Sequence, residues 1–442
     1  MALLIAAALV MSACPGGGDE IVIGVVAPSA GPNAGLGRQI RNGATLAVES
    51  LNRRGGFEGR KVRIAYRDSS DPSRLTGLLS DLARRDKPVA VVGPPSISGV
   101  QSPNNPLSRE SIPVLAIGTA AGSVERNPHL FRLTASNAAM SAVLADWLVA
   151  VRSFRKVAVV SSPDESGRDG AKRVAIAVKE KGADVVADVS IAEGAADFST
   201  QAQALSGTGA EAVIVWAGAA DAARVALAVK QIGWDVQIAG PDTLLETEFR
   251  SLAGTTSDNT VTIAPRITEE QWFSKELRDW FVDYHKRFTL LPIPEQRTLV
   301  ADLPFSAITA FDAVGLVLDA VRRASSDEPA KVSAALGRTE SFRGVLQPYS
   351  FHKREALAAS DLAPARFFNL ALLSDISPGF DLERQIAFYK IQVSAYYIPD
   401  EYLETAEGEA LLERVLEDVL TNPEKVEFFR AYEPPRDAPG RI

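Results

Sequence analysis

The stretch that decides the fold is IVIGVVAPSAGPNAGLGRQIRNGATLAVESLNRRGG, residues 21–56. Its first seven residues, Ile21–Ala27, form an apolar run broken only by a glycine, which is typical of a strand buried on both faces. After a glycine-rich loop, apolar residues recur at the spacing of an amphipathic helix; they are Ile40, Ala44, Ala47 and Leu51. The stretch therefore predicts a strand, a loop and a helix, the first unit of an α/β protein.

The glycines of this loop raise the question of whether it cradles a phosphate. A dinucleotide-binding loop needs G-x-G-x-x-G directly after the strand. Here the glycines stand at Gly31, Gly35 and Gly37, the next is Gly43, and no G-x-x-x-x-G-K-[ST] occurs in the chain. The spacing disfavours a nucleotide cofactor. It leaves a helix N-terminus that could accept an anion or a polar ligand.

The alternation of strand and helix patterns continues along the chain. The further strand segments are 61–67, Val89–Gly93, 112–118, Lys156–Ser162, 184–190, 210–218, 236–240 and Arg366–Leu373. Near-continuous apolar strands between helices predict parallel sheets with both faces covered, and ligands on such sheets bind beyond the carboxyl ends of the strands. We expect two sheets, in residues 21–138 and 140–263, with helices at Pro72–Arg84 and from about Asp169 among their connections. A helical region is expected within 268–324, and its strongest segment is Phe305–Ala324.

Composition and charge exclude several classes of function. The chain has 442 residues, enough for two domains, and a net charge of −8 with no run of basic residues. A nucleic-acid partner is therefore not expected. His129, His285 and His352 lie far apart in sequence and no Cys/His cluster exists, so no metal site is expected.

The N-terminus carries a possible export signal. The apolar run Ala2–Val10 is too short to span a bilayer, which takes about 20 residues, but it suits a signal peptide. Small residues precede Cys14, and MALLIAAALVMSAC resembles a bacterial lipobox in which the cysteine becomes lipidated. An apolar end with an incidental cysteine is the alternative. The sequence Pro15–Glu20 then reads as a flexible tether.

The order of these segments resembles that of a known protein family. The stretch from residue 21 to residue 73 is similar to the opening of type I periplasmic binding proteins, in particular the leucine/isoleucine/valine-type substrate-binding proteins of ABC transporters. The similarity continues through VVGPPSISGV, SIPVLAIGTA, VAVVSSPDESGRDG and QIAGPD. It implies two Rossmann-like α/β lobes with parallel sheets, joined by a hinge of three crossovers near Ala138, Pro265 and Gly344, with ligand trapped between them.

The resemblance also implies domain boundaries. We expect a signal peptide at 1–13 and a tether at 14–20. Lobe 1 would comprise 21–138 and 266–344, lobe 2 would comprise 139–265 and 345–380, and a helical C-terminal extension would comprise 381–442.

By this resemblance, lobe 1 grips an α-carboxylate through hydroxyls and backbone amides. Two loops would supply them, and the residues are Ser96, Ser98, Gly118, Thr119 and Ala120. Such donors suit a carboxylate, although the two serines could instead cap the following helix. Asp242 falls where the family has an acid that pairs with the α-ammonium group. A helix cap is again the alternative role for it.

Departures from the family bear on specificity. Three positions that are aromatic in leucine-type proteins fall on Leu36, Ser166 and Ala219, which enlarges the expected pocket and removes its ring contacts. Trp216 could compensate, or could belong to the core. A larger, more polar or amide-type ligand is therefore compatible with the sequence.

The sequence is compatible with two functions. The first is an extracytoplasmic, lipid-anchored solute-binding protein that delivers an amino acid or amide to an ABC permease. The second is a ligand-sensing receptor domain of the same fold that signals to a membrane partner, with residues 381–442 as a docking element or a packed appendage. Enzymatic activity is not expected, since no G-x-S-x-G motif occurs.

Overall fold

The computed structural model describes residues 20–31, 33–118, 122–192, 194–266, 274–288, 304–345, 347–368 and 371–373. The predicted signal peptide, Cys14 and the extension at 381–442 lie outside these ranges. Within them, no helix is both long and apolar enough to cross a membrane.

The first sheet has five parallel strands in the order β2-β1-β3-β4-β5. The strands are β1 (Ile21–Ala27), β2 (Val62–Asp68), β3 (Ala90–Val92), β4 (Val114–Ala116) and β5 (Leu130–Arg132), and the connecting helices are α1 (Ala34–Arg53), α2 (Leu75–Asp81) and α3 (Pro106–Arg109). β1 has the predicted bounds. The helix predicted from Pro72 to Arg84 is instead a 3-10 turn, α2 and a π-helical turn that ends at Asp86.

The second sheet has the order β14-β13-β10-β9-β8-β6-β7. Its strands are β6 (Lys156–Ser161), β7 (Asp184–Ser190), β8 (Ala212–Trp216), β9 (Gln237–Ala239), β10 (Thr260–Pro265), β13 (Leu362–Phe368) and β14 (Ala371–Leu373). β6 to β10 are mutually parallel, whereas β13 and β14 add to the edge in antiparallel fashion. The single strand predicted at Arg366–Leu373 is therefore two strands. The helices of this lobe are α4 (Asn137–Asp146), α5 (Glu165–Glu180), α6 (Ser199–Ser206), α7 (Ala219–Gln231) and α8 (Thr247–Ala253).

Among the described residues, three further helices belong to the first lobe: α9 (Lys275–Phe288), α10 (Phe305–Ala324) and α11 (Pro329–Leu336). α10 packs directly along α1. A Cβ atom at Gly43 would lie 1.9 Å from the carbonyl oxygen of Ala307, and one at Gly37 would lie 1.9 Å from that of Pro28. Glycines of the opening stretch thus allow close backbone packing, which explains their presence without any phosphate.

Within the described residues, the chain crosses between the lobes three times. The first crossing follows β5, because the next helix, α4, packs in the hydrophobic core of the second lobe. The second crossing follows β10, because α10 packs in the hydrophobic core of the first lobe. The third lies later than the predicted Gly344. After the short hairpin β11 (Phe342–Arg343) and β12 (Pro348–Tyr349), Phe351 still packs against Phe131 with ring centroids 5.0 Å apart. Side chains of this segment join the hydrophobic core of the second lobe only from Leu357 onward. The described residues of the stretch 345–356, which was expected in lobe 2, therefore pack with lobe 1.

Candidate functional site

A cleft of about 640 Å³ lies between the two lobes at the carboxyl ends of their strands. The first lobe contributes the start of α1 and the loop after β3, and the second contributes the loops after β6, β8 and β9 together with α8. Parallel sheets with helices on both faces present their ligand-binding loops at this edge. The cleft is therefore the candidate binding site.

Four of the residues predicted from the sequence line the cleft: Ser96, Ser98, Ser166 and Ala219. Leu36, where the family has an aromatic residue, lines it as well. Thr119 and Ala120 lie outside the described residues. Gly118 and Asp242 are described, but they do not belong to the lining.

Ser96 and Ser98 are exposed to the cleft, and their hydroxyl oxygens lie 3.0 Å apart. They do not cap the next helix, α3, because Asn105 caps it by accepting from the backbone N–H groups of Leu107 and Ser108 at 2.9 and 3.1 Å. Neither serine therefore caps α3, although Ser96 Oγ accepts from the backbone N–H of Ser98 at 3.4 Å in the turn that follows it. Their hydroxyls remain available to a polar ligand.

Gly118 has a structural role in this arrangement. Its N–H donates to the hydroxyl of Thr134 at 3.2 Å, and that hydroxyl donates to its carbonyl oxygen at 2.5 Å. Its φ angle is +146°, and a Cβ atom there would lie 2.2 Å from the carbonyl oxygen of Pro95. The residue thus braces the Ser96 loop, and its N–H is not presented to the cleft.

On the second lobe, Asp164 sets the start of α5. One of its carboxylate oxygens accepts from the N–H of Gly167 at 2.8 Å and the other from the hydroxyl of Ser162 at 2.8 Å. This cap starts the helix at Glu165, four residues before the predicted start near Asp169. Ser166 consequently lies in the first helical turn, and its carbonyl accepts from Asn137 at 3.1 Å.

Trp216 forms part of the cleft floor and belongs to the core as well. It borders the cleft, yet only 2% of its surface is exposed. Its indole N–H donates to Asn137 at 3.3 Å, and its ring lies so close to Gly170 that a Cβ atom there would be 2.1 Å from Nε1. Trp216 thus borders the cleft and also belongs to the core, so each of the two roles that the sequence left open is partly right. The ring does not project into the cleft as a side wall.

Asp242 faces a second cavity of about 50 Å³ at the hinge, bordered by residues of all three crossings, such as Thr134, Pro265 and Leu357. Its Oδ1 atom is shielded from solvent and has no hydrogen-bond partner. Removal from water, together with the nearby carboxylate of Glu246, raises the pKa of Asp242 to about 7. Nor does its side chain cap a helix.

Glu246 is the functional candidate that the sequence analysis missed. It borders both the cleft and the hinge cavity. Its carboxylate accepts from Gln39 Nε2 at 2.5 Å and from Ser306 Oγ at 2.8 Å, both in the first lobe. Burial raises its pKa, and the two hydrogen bonds oppose that rise. In the sequence, the only sign of a role for Glu246 was its position four residues after Asp242.

Comparisons with known proteins agree with this architecture. The profile of a family described as periplasmic binding protein matches residues 20–369. A Leu/Ile/Val-binding protein homolog from Brucella melitensis is 26% identical over 323 residues, covering 72% of this chain and 83% of the relative. A leucine-, isoleucine-, valine-, threonine- and alanine-binding protein from Pseudomonas aeruginosa is 23% identical over 321 residues, covering 72% and 82%.

Solved structures show the same fold. The substrate-binding protein LivJ from Streptococcus pneumoniae, in complex with isoleucine, superposes with a TM-score of 0.71 at 20% identity, covering 81% of this chain and 99% of that one. The leucine-binding protein LivK from Thermotoga maritima gives 0.66 at 15% identity, covering 81% and 99%. The predicted fold of two lobes with parallel sheets is confirmed. The profile match spans most of the 442 residues, so the chain belongs to the periplasmic binding protein family, whose location is extracytoplasmic.

Proposed function

We propose that this protein is the solute-binding component of an ABC importer, which traps an amino acid or a related small polar solute between its two lobes. The observation that carries the proposal is the cleft of about 640 Å³, walled by loops of both lobes. A solute that contacts both walls binds the closed arrangement more tightly than the open one and so favours closure. The names of the amino-acid-binding relatives support the same assignment.

The two walls offer complementary chemistry to a zwitterion. Ser96 and Ser98 present hydroxyl donors for a carboxylate on the first lobe. On the second lobe, Glu246 presents a carboxylate for the ammonium group. The family resemblance had implied Asp242 for this role. We assign the ammonium contact to Glu246 because it borders the cleft, whereas Asp242 lies behind it in the hinge cavity.

In this proposal the protein works by binding and release, without catalysis. A lipid on Cys14 would hold it at the outer face of a bacterial membrane, within reach of a permease that accepts the solute. Support for the anchor comes from the lipobox-like sequence before Cys14. The permease follows from the proposed transport role.

Thermal unfolding against a panel of the common amino acids, amides and small carboxylates tests the proposal. A ligand at one hundred times its dissociation constant adds about 2.7 kcal/mol to the free energy of unfolding, a readily measured rise in midpoint. The double variant Ser96→Ala/Ser98→Ala and the variant Glu246→Gln should each weaken calorimetric binding of the best ligand by about tenfold or more. Ser360→Ala is the matched control, because Ser360 is exposed and outside the cleft.

Two results would contradict the proposal. One is a panel in which no compound raises the unfolding midpoint. The other is a ligand that binds without any decrease in the radius of gyration measured by X-ray scattering, since closure around the solute must compact the molecule.

A further inference from the structure

The charged residues that line the cleft are distributed unevenly between its walls. Among the described lining residues the second lobe contributes four carboxylates, Asp164, Glu165, Glu246 and Glu248, and the first lobe contributes one cation, Arg38. A neutral amino acid carries one ammonium group and needs one carboxylate partner. The second-lobe wall therefore offers more carboxylates than a neutral amino acid needs, although the buried Arg250 lies close enough to Glu246 to oppose the rise in its pKa.

Two of these carboxylates already have partners within the protein. Asp164 accepts from Gly167 and Ser162 as the cap of α5. Glu246 accepts from Gln39 and Ser306 at the hinge side of the cleft, where the proposed function places the ammonium group. These contacts account for the position of both side chains.

The other two carboxylates, of Glu165 and Glu248, form no hydrogen bond or salt bridge with described residues. Glu248 is only partly exposed, and it reaches across the cleft. A Cβ atom at Gly35, in the first turn of α1 on the opposite lobe, would lie 3.4 Å from Glu248 Oε2. This side chain is thus directed toward the space that a bound solute occupies.

Among the described lining residues, the cleft offers no aromatic side wall to an apolar side chain. The positions that are aromatic in leucine-type proteins hold Leu36, Ser166 and Ala219, and Trp216 forms only the floor. Apolar burial and ring contacts on a branched aliphatic side chain are correspondingly reduced. Carboxylates without partners favour a cation in that place.

We propose that the cleft selects a dibasic amino acid, whose side-chain cation is received by Glu248 together with Glu165. This inference rests on the proposed function and names the solute class for the same site. The carboxylate of the solute would lie on Ser96 and Ser98, its ammonium group on Glu246, and its second cation along the second-lobe wall. Arg38, on the opposite wall, repels that cation and so orients the solute.

Isothermal titration calorimetry with L-lysine and L-norleucine tests the inference, because the two differ in the group at the end of the same carbon chain. We expect lysine to bind about tenfold or more tightly than norleucine. This preference should shrink when NaCl is raised from about 0.02 M to about 0.5 M. Glu248→Gln and Glu165→Gln should each weaken lysine binding while leaving norleucine binding within about twofold.

Glu180→Gln is the matched control, since Glu180 is exposed at the far end of α5, away from the cleft. Equal or tighter binding of norleucine overturns the choice of a dibasic solute and leaves the amino-acid-binding function intact. Equal weakening of both ligands in Glu248→Gln also overturns it, because a contact with the side-chain cation affects lysine alone. If neither ligand binds, and no other amino acid does, both the inference and the proposed function fail.

Discussion

Gln39 and Glu246 are separated by 207 positions in the sequence, yet Gln39 Nε2 lies 2.5 Å from Glu246 Oε2. The bond joins α1 of the first lobe to the start of α8 in the second, and Ser306 on α10 completes it by donating to the other carboxylate oxygen. Glu246 is consequently bound to two helices of the opposite lobe while it borders the cleft. In the proposed function, contact with a solute and contact between the lobes therefore meet at this one carboxylate.

The first prediction concerns this contact between the lobes. Ser306→Ala removes the donor to Glu246 Oε1 and should lower the free energy of unfolding by about 1 kcal/mol. It should also raise the radius of gyration of the ligand-free protein, because one bond that holds the lobes together is lost. Urea denaturation and X-ray scattering measure the two effects. Ser80→Ala on α2, outside the cleft, is the control, and equal scattering by both variants would contradict the prediction.

A second prediction follows from the hinge carboxyl. The pKa of Asp242 is about 7 in the folded protein, against 3.8 as its ordinary value. Between these values the folded protein keeps a proton that the unfolded chain releases, so the free energy of unfolding falls as pH rises, by at most about 1.4 kcal/mol per pH unit. The contribution is fully favourable below about pH 4 and is lost above about pH 7.

Asp242→Asn should remove this pH dependence, because an amide does not ionise. We expect the variant to exceed the wild type in free energy of unfolding at pH 8, with the difference shrinking toward pH 5. Urea denaturation at the two pH values measures this, and Asp188→Asn, on β7 and outside both cavities, is the control. An equal difference at both pH values would mean that the carboxyl is ionised throughout.

Local patterns were enough to predict the elements that these residues occupy. The apolar run of β1 and the helical pattern of α10 match the observed bounds, Ile21–Ala27 and Phe305–Ala324. The match is expected because the faces of a strand or helix that are buried determine where apolar residues recur in the sequence. The serines of the loop after β3 were instead named from the family resemblance, and a general rule explains why they line the cleft. Their loop follows a buried strand, and a parallel sheet exposes that end of the strand in the cleft.

Contacts between distant segments could not be predicted in the same way. Glu246 is a candidate because it borders the cleft and because Gln39 and Ser306 donate to it from the other lobe. The N–H of Gly118 donates to the hydroxyl of Thr134, which lies on a different segment, instead of facing the cleft. The wrong start predicted for α5 has another cause. Aspartate is a favoured N-cap residue, so Asp164 already indicated in the sequence that the helix begins at Glu165.

A third prediction uses Trp216 as a reporter of the cleft. Its indole ring borders the cleft and donates to Asn137, so a solute that settles on the floor should change its fluorescence. The change caused by the tightest-binding amino acid should disappear in Trp216→Phe. It should persist in Trp234→Phe, because Trp234 packs in the second core away from the cleft. Persistence of the full signal in Trp216→Phe would place the solute elsewhere.

The last prediction tests why the opening stretch is rich in glycine. At Gly43 a Cβ atom would lie 1.9 Å from the carbonyl oxygen of Ala307, so Gly43→Ala must push α10 away from α1. Overpacking of this kind lowers the free energy of unfolding by about 1–3 kcal/mol. Gly77→Ala is the matched control: Gly77 lies in α2, nothing stands within 4 Å of its Cβ position, and alanine there should add up to about 1 kcal/mol. Urea denaturation of both variants measures the difference. If Gly43→Ala were as stable as Gly77→Ala, the two helices could not be in the close contact that the fold of the first lobe requires.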